Sequence, residues 1–349
     1  MQGHRFWVPG PRPLALELTM HPAFSVIFLT TLIGAGQGLF MALVTGQVYS
    51  LANLLEPQDS VSFYAMGSLL AMVLLGLGLV AAVFHLGKPS YFFTRAWRGI
   101  TQWRTSWLSR ELMALPAFMG LVFFYGVAHY AQLTQPLFVI KGQIPVDPTL
   151  LLGVVGALMS IVLYVCTAMI YASLRFLQEW HSPLTVTNFI LFGLASGFTL
   201  AAAFSAWSGV RLVGFFGTWA VIFTVLAAIT RGFSMYRNGR IKHKSTLRSA
   251  IGVRHTNIRQ KSMGFMGGSF NTREFFHGAS EGTLAFVKLF FMLMVFVVPV
   301  GLLAASNALE SANLPILAFC VQYVGLMAER WYFFAEAKHP QNLYYQSVA

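Results

Sequence analysis

Residues 61–85 read VSFYAMGSLLAMVLLGLGLVAAVFH, a run of 25 residues without a charged side chain. A helix needs about 20 residues to cross the hydrocarbon core of a bilayer. In that core only a helix or a closed barrel satisfies all its own backbone hydrogen bonds. The run is continuously apolar and does not alternate as a barrel strand does, so it predicts a transmembrane helix.

Seven further runs have the same character, and the last of them contains Pro315. They are Phe24–Val44, Leu112–Tyr130, Thr149–Leu174, Thr185–Ala206, Gly214–Thr230, Leu289–Asn307 and Ala312–Ala328. Over 349 residues, 56% are hydrophobic and only 10% are charged, whereas a soluble domain carries about a quarter charged residues. We therefore predict an all-α polytopic membrane protein in which residues 1–349 form a single domain with eight transmembrane helices.

Eight crossings place both termini on one face of the membrane, which we call face A; the opposite face is face B. Of the 23 lysines and arginines, only Lys141 and Arg211 fall on face B, and the other 21 lie on face A. The positive-inside rule then makes face A, with both termini, cytoplasmic. The net charge of +12 is explained by this asymmetry and does not indicate nucleic-acid binding.

Much of the charge on face A lies in residues 231–288, which we predict to be a long basic cytoplasmic loop. Two interpretations are open. The loop sets the topology next to anionic lipid, or it is a platform that docks a soluble subunit.

The polar residues inside the predicted helices are uncharged: Gln37, Asn188 and Gln322, with scattered Ser and Thr. The absence of ionisable residues at mid-membrane disfavours a proton-coupled transporter. None of the nine histidines lies deep in a run, which disfavours haem, and two cysteines are too few for an iron–sulfur cluster, which needs about four ligands. No internal repeat is evident.

One cluster on face A has the residues for proton chemistry. His85 ends the second run and Glu111 opens the third, so the two side chains are expected to meet near the cytoplasmic interface. Quinol oxidation releases two protons and two electrons, and an imidazole beside a partly desolvated carboxylate suits that reaction. In the alternative interpretation the neighbouring Trp and Arg residues are interfacial anchors, and Glu111 forms a weak surface ion pair with Arg110.

Four motifs resemble those of a known family. They are His21-Pro-Ala-Phe-Ser-Val-Ile-Phe, His85-Leu-Gly-Lys-Pro89, Arg104-Thr-Ser-Trp-Leu-Ser-Arg110-Glu111 and Glu329-Arg330-Trp-Tyr-Phe-Phe-Ala-Glu336-Ala-Lys-His-Pro-Gln-Asn342. Together they resemble the DmsC family, the membrane anchor subunits of dimethyl-sulfoxide-reductase-type molybdoenzymes. The resemblance covers nearly the whole sequence and includes the number of helices.

The resemblance implies a multi-pass protein of the bacterial inner membrane that has no soluble-substrate chemistry of its own. Its partners would be a molybdopterin catalytic subunit and a ferredoxin-like iron–sulfur subunit. The protein would bind quinone or quinol, as menaquinone or ubiquinone, and would itself hold neither haem nor an iron–sulfur cluster. His85 and Glu111 match the family positions tied to quinol binding. Arg110 and Arg104 are expected to shape the polar end of the pocket, and His21 is a weaker candidate.

The direction of electron flow is less constrained. The long basic loop and the motif Trp103-Arg-Thr-Ser-Trp107 are more similar to the anchors of cytoplasmic sulfite-oxidising complexes than to shorter anchors, which favours sulfite as donor and quinone as acceptor. The alternatives are an S- or N-oxide reductase anchor that oxidises quinol in anaerobic respiration, a passive tether, and a secondary transporter.

Overall fold

The structure is a computed structural model that describes residues 23–85, 99–140, 144–242 and 279–338. Between 243 and 278 it describes only residues 244, 246, 248–249, 252–255 and 257–258. Several predicted features, including His21 and the centre of the basic loop, lie outside these residues.

Eight helical segments long enough to cross a membrane lie in the described residues, and a small antiparallel hairpin, β1 (Phe138–Ile140) and β2 (Ile144–Val146), joins the third to the fourth. Helices α2 and α7 each contain a π-helical turn. The helices are α1 (Phe24–Leu51), α2 (Ser60–Ala65 as π-helix, then Met66–His85), α3 (Trp107–Tyr130), α4 (Pro148–Ala172), α5 (Pro183–Trp207), α6 (Val213–Asn238), α7 (Glu281–Met292, then Leu293–Val297 as π-helix, then Val298–Leu309) and α8 (Asn313–Ala335).

The fold confirms the predicted all-helical membrane architecture. Seven of the helices, α1 to α7, have the length and apolar composition of membrane spans. Helix α8, which contains Pro315, is 23 residues long. Most helices extend beyond the predicted runs. In α3, α6, α7 and α8 the added turns contain charged residues. The predicted loop 231–288 is therefore too long at both ends, since α6 continues to Asn238 and α7 begins at Glu281.

The eight helices form two four-helix rings that repeat one contact pattern. In the first ring α1 packs on α2 and α4, and α3 packs on both; in the second, α5 packs on α6 and α8, and α7 packs on both. The rings meet where α1 packs on α5, flanked by α4 against α5 and α1 against α8. This pseudo-twofold arrangement is an internal repeat that the amino-acid sequence does not reveal.

Helices α1 and α5 cross at the centre of the protein with their backbones almost in contact. About 67% of the apolar core of α1 and 78% of that of α5 is buried, against 28–44% for α2, α3, α4, α6 and α7. The crossing is made by Gly34 and Gly38 on α1 facing Gly193 and Gly197 on α5. Paired small residues four apart are a common device for close helix packing in lipid, where helices gain little from excluding water.

We expect Gly197→Ala to destabilise the fold, because a Cβ atom there would overlap the backbone of Gly38 and Leu39. Overpacking of this kind costs about 1–3 kcal/mol. The matched control is Gly120→Ala in α3, where an added Cβ meets nothing within 4 Å and alanine favours the helix. Thermal unfolding in detergent should show a lower midpoint for the first variant only, and equal midpoints would contradict the close crossing.

The π-helical turn in α7 lies just before a proline. Pro299 lacks a backbone N–H, so the carbonyl of Val295, four residues earlier, loses its helical donor. Gln322 Nε2 on α8 lies 3.2 Å from that carbonyl oxygen and 3.2 Å from Thr224 Oγ1 on α6. One of the three polar residues noted inside the predicted spans thus satisfies a backbone group that lipid would leave unpaired.

Candidate functional site

A narrow polar cleft lies where the two rings meet, in the half of the bundle nearer face A. The space in it amounts to about 480 Å³ when the part open to the outside is counted, and the centre of a water molecule can occupy about 30 Å³ of it. Its polar lining comes from Thr30, Thr31, Gln37, Glu111, Tyr164, Thr167, Ser196 and Arg330, and its apolar lining from Leu29, Ile33, Gly34, Phe189, Phe192, Gly193 and Leu326. Five helices, α1, α3, α4, α5 and α8, contribute to it. Clefts between helices of a bundle are common places for small-molecule sites.

Glu111 is the acidic residue of this cleft. The side chain of Ser106 caps the start of α3 by accepting a hydrogen bond from the Ser109 N–H at 3.4 Å, which sets Glu111 about one turn into the helix. Glu111 is only 8% exposed, and Thr167 Oγ1 donates to its Oε1 at 2.5 Å. No lysine or arginine of the described residues forms an ion pair with it. An unpaired carboxylate buried in a membrane protein is costly, and such residues usually mark a functional site.

Arg330 supplies a cation to the same cleft from α8. Its Nε donates to Glu329 Oε2 at 2.7 Å, whereas its Nη1 is buried and has no hydrogen-bond partner in the part of the protein that the structure describes. The guanidinium lies over the ring of Phe189, 4.2 Å from the centroid. Gln37 Oε1 is also buried without a partner. The cleft therefore holds one donor and one acceptor that the protein does not use, which is the pattern expected where a ligand completes the hydrogen bonding.

Arg330 belongs to a buried network of ion pairs. Glu329 also pairs with Arg231 on α6, whose Nε lies 2.9 Å from Glu329 Oε1, and Arg231 Nη2 lies 3.6 Å from Glu336 Oε2. Arg231 is 1% exposed and Glu329 is fully buried. Burial raises the pKa of Glu336, at the end of α8, and the charge of Arg231 opposes that rise.

The structure places the five predicted site residues in different surroundings. Glu111 lines the cleft. Helix α2 ends at His85, whose side chain lies outside what the structure describes, as does the whole of His21. Whether either histidine reaches Glu111 therefore stays a prediction.

The two predicted arginines do not line the cleft. Arg110 donates through Nε to the Trp103 carbonyl at 2.9 Å and through Nη2 to the Arg104 carbonyl at 3.0 Å, and it stacks on Trp107 at 4.0 Å. Arg104 is exposed beside the Trp103 ring. Arg104 lies in the turn that leads into α3, and Arg110, in the first turn of α3, is hydrogen-bonded to carbonyls of that turn. Their predicted role at the polar end of a quinone pocket stays a prediction.

Sequence reasoning missed Arg330, which lines the cleft with Glu111, and the ion pairs of Glu329 and Arg231 next to it. Arg330 and Glu329 were seen only as part of a family motif after the last predicted run, and Arg231 was assigned to the basic loop. Arg231, Glu329 and Arg330 all lie within two turns of the end of an apolar run. That position could have indicated that the helix continues through them.

A second polar network lies at the face B end. His129, at the end of α3, is 1% exposed, so it is buried in the protein although it does not lie deep in a predicted membrane span. Its Nδ1 lies 2.7 Å from Ser60 Oγ, and its ring packs between Tyr64 and Tyr125 at 4.7 and 4.5 Å. Among the described residues, no group of three or more His, Cys, Asp or Glu side chains has a metal-binding arrangement.

The fold and the cleft define an integral membrane protein with a polar site inside one half of its helical bundle. The profile of the DmsC family, described as DMSO reductase anchor subunit (DmsC), matches residues 19–335. The protein belongs to this family, which confirms the resemblance found in its motifs.

Two relatives refine the comparison. The sequence is 59% identical over 330 residues to the C subunit of the sulfite dehydrogenase of Allochromatium vinosum, an alignment that spans 95% of this protein and 100% of the relative. It is 29% identical over 132 residues to the C component of the anaerobic dimethyl sulfoxide reductase of Haemophilus influenzae, an alignment that spans 38% of this protein and 42% of the relative.

Proposed function

We propose that the protein is the inner-membrane anchor subunit of a molybdopterin oxidoreductase complex, and that it binds quinone or quinol in the Glu111 cleft. The observation that carries this proposal is a buried carboxyl that, among the described residues, has no cationic partner, beside an arginine donor and a glutamine acceptor that have no partner among them either. The partners would be an iron–sulfur subunit, which exchanges electrons with the quinone, and a molybdopterin catalytic subunit.

The residues of the cleft suit a quinone headgroup. A bound quinone accepts two electrons and two protons to become quinol. The carboxyl of Glu111 can hold one exchangeable proton at Oε1 or Oε2, and the hydroxyl of Thr167 keeps that carboxyl in place. The rings of Phe189 and Phe192 give the cleft flat apolar walls for a planar ring. We propose His85, which closes α2, as the second proton-exchanging group.

We propose that sulfite is the electron donor of the complex and quinone its acceptor. The support is the identity of 59% to the sulfite dehydrogenase relative over its full length. The reductase relative matches fewer than half of these residues and at lower identity, so an S- or N-oxide reductase anchor is the second candidate.

The partners would dock on face A. The charge asymmetry, with 21 of 23 lysines and arginines on that face, supports a cytoplasmic face A and cytoplasmic termini. The Glu111 cleft lies in the half of the bundle nearer that face, which shortens the path for electrons from a docked iron–sulfur subunit.

The test is binding of duroquinone to the protein in lipid nanodiscs, with protein-free nanodiscs as the blank for partition into lipid. Duroquinone is fully substituted, so it does not add to the free thiol of the exposed Cys320. We expect saturable binding that exceeds the blank. Binding that never exceeds the blank would leave a passive tether as the function.

A further inference from the structure

We propose that Arg330 is the hydrogen-bond donor to a carbonyl oxygen of the quinone headgroup, and that Glu329 positions it for this role. The inference rests on the proposed quinone site. It adds a recognition residue from α8, far in sequence from the His85 and Glu111 motifs.

The first support is that the nitrogen atoms of the Arg330 guanidinium are not all hydrogen-bonded. Its Nε is bound to Glu329, but its Nη1 is buried with no partner although the side chain lines the cleft. A guanidinium carries five N–H donors in a rigid plane, and a buried donor without a partner is costly. An acceptor entering the cleft would satisfy it. On duroquinone and on menaquinone the carbonyl oxygens are the hydrogen-bond acceptors.

The second support is that the plane of the guanidinium is fixed. The rings of Phe189, Phe192 and Phe333 lie 4.2, 5.2 and 5.2 Å from the guanidinium carbon. Two of these rings, Phe189 and Phe192, also line the cleft. Arg330 is therefore held against the same aromatic wall on which a planar headgroup would stack, so binding requires little further ordering of its side chain.

The third support is the charge balance, which selects a neutral ligand. Arg231 and Arg330 carry two positive charges, and Glu329 and Glu336 can balance them. Arg330 thus has no net charge left to attract an anion, and Glu111 in the same cleft would repel one whenever its carboxyl is ionised. A neutral carbonyl compound fits this field better than a phosphate or carboxylate does.

The protein offers a matched control for Arg330. Arg231 is an equally buried arginine that pairs with the same Glu329, yet it does not line the cleft. Its guanidinium instead lies 5.8 Å from the ring centroids of Phe291 and Tyr332. A lysine at either position keeps the charge beside Glu329 and loses the planar fork.

The experiment compares Arg330→Lys with Arg231→Lys in nanodiscs, measuring binding of duroquinone and of durene, the hydrocarbon of the same shape without carbonyl groups. We expect Arg330→Lys to weaken duroquinone binding by about tenfold, the loss typical of a hydrogen bond to a charged group. Durene binding should not change. Arg231→Lys should leave both affinities within about twofold, although it lowers the unfolding midpoint.

Two outcomes would overturn the inference and are separable from failure of the quinone site itself. If Arg330→Lys and Arg231→Lys weaken duroquinone binding equally, or if Arg330→Lys weakens duroquinone and durene equally, the arginine has only a structural role. If the unmodified protein shows no saturable binding of duroquinone, the proposed function fails first. Binding by the unmodified protein that Arg330→Lys leaves intact refutes this inference alone.

Discussion

Glu111→Gln is expected to lower quinone-linked turnover of the assembled complex by about 100-fold, because glutamine cannot take up or release a proton. General acid–base groups contribute roughly 100- to 10,000-fold to a rate. The substitution preserves size, and the amide oxygen can still accept the hydrogen bond from Thr167 that now goes to Glu111 Oε1. Turnover is measured as sulfite-dependent reduction of duroquinone by the purified complex, together with copurification of the soluble subunits.

The control for this substitution is Glu281→Gln, which removes a carboxylate from the exposed first turn of α7, also on face A. It should leave turnover unchanged. Full activity in Glu111→Gln with normal assembly would show that the carboxyl is not in the proton path. Loss of assembly in Glu111→Gln alone would instead assign it a structural role.

The number and the order of the helices could be predicted from the sequence, because a run such as 61–85 has only one stable conformation in lipid. The ends of the helices could not be predicted as well. Helix α3 begins at Trp107 rather than Leu112, and α6 continues to Asn238 rather than Thr230. In both cases charged residues stay helical, because they find buried or interfacial partners that the local sequence does not show.

The partners of Glu111 are a harder problem for sequence reasoning. The motif predicted Glu111 as a site residue, but Thr167, Arg330 and Gln37 reach the cleft from three other helices. Lipid is as apolar as the protein interior, so the hydrophobic pattern of a membrane helix does not indicate which face turns inward. The rotation of α1, α4 and α8 is set by contacts such as the Gly38–Gly197 crossing, and these depend on the whole bundle.

The same reason explains why the repeat of two four-helix rings was missed. The equivalence of α1 with α5 lies in how the helices pack, and many apolar sequences satisfy the same packing. In the amino-acid sequence the equivalence of α1 and α5 is visible only in the paired glycines of the crossing, Gly34 and Gly38 on α1 and Gly193 and Gly197 on α5.

Glu329→Gln is expected to cause the largest loss of stability, about 3–5 kcal/mol, because it removes the acidic partner of two buried arginines. Glu329 is fully buried and lies 2.9 Å from Arg231 and 2.7 Å from Arg330. After the substitution Arg231 keeps a contact with Glu336 at 3.6 Å, but Arg330 has no other ion pair among the described residues. Thermal unfolding in detergent, followed by tryptophan fluorescence, measures the loss.

The control is Glu56→Gln, which breaks an ion pair of similar length in the opposite setting. Glu56 lies 3.3 Å from Arg211, and their side chains are 76% and 88% exposed, so water screens the pair and its loss should cost about 0–1 kcal/mol. If both variants unfold at the same temperature, the Arg231–Glu329–Arg330 network does not stabilise the bundle. Another contact would then have to hold Arg330 in the cleft. The double variant Glu329→Gln/Arg330→Met, which removes the Arg330 charge together with its partner, should in that case be no more stable than Glu329→Gln alone.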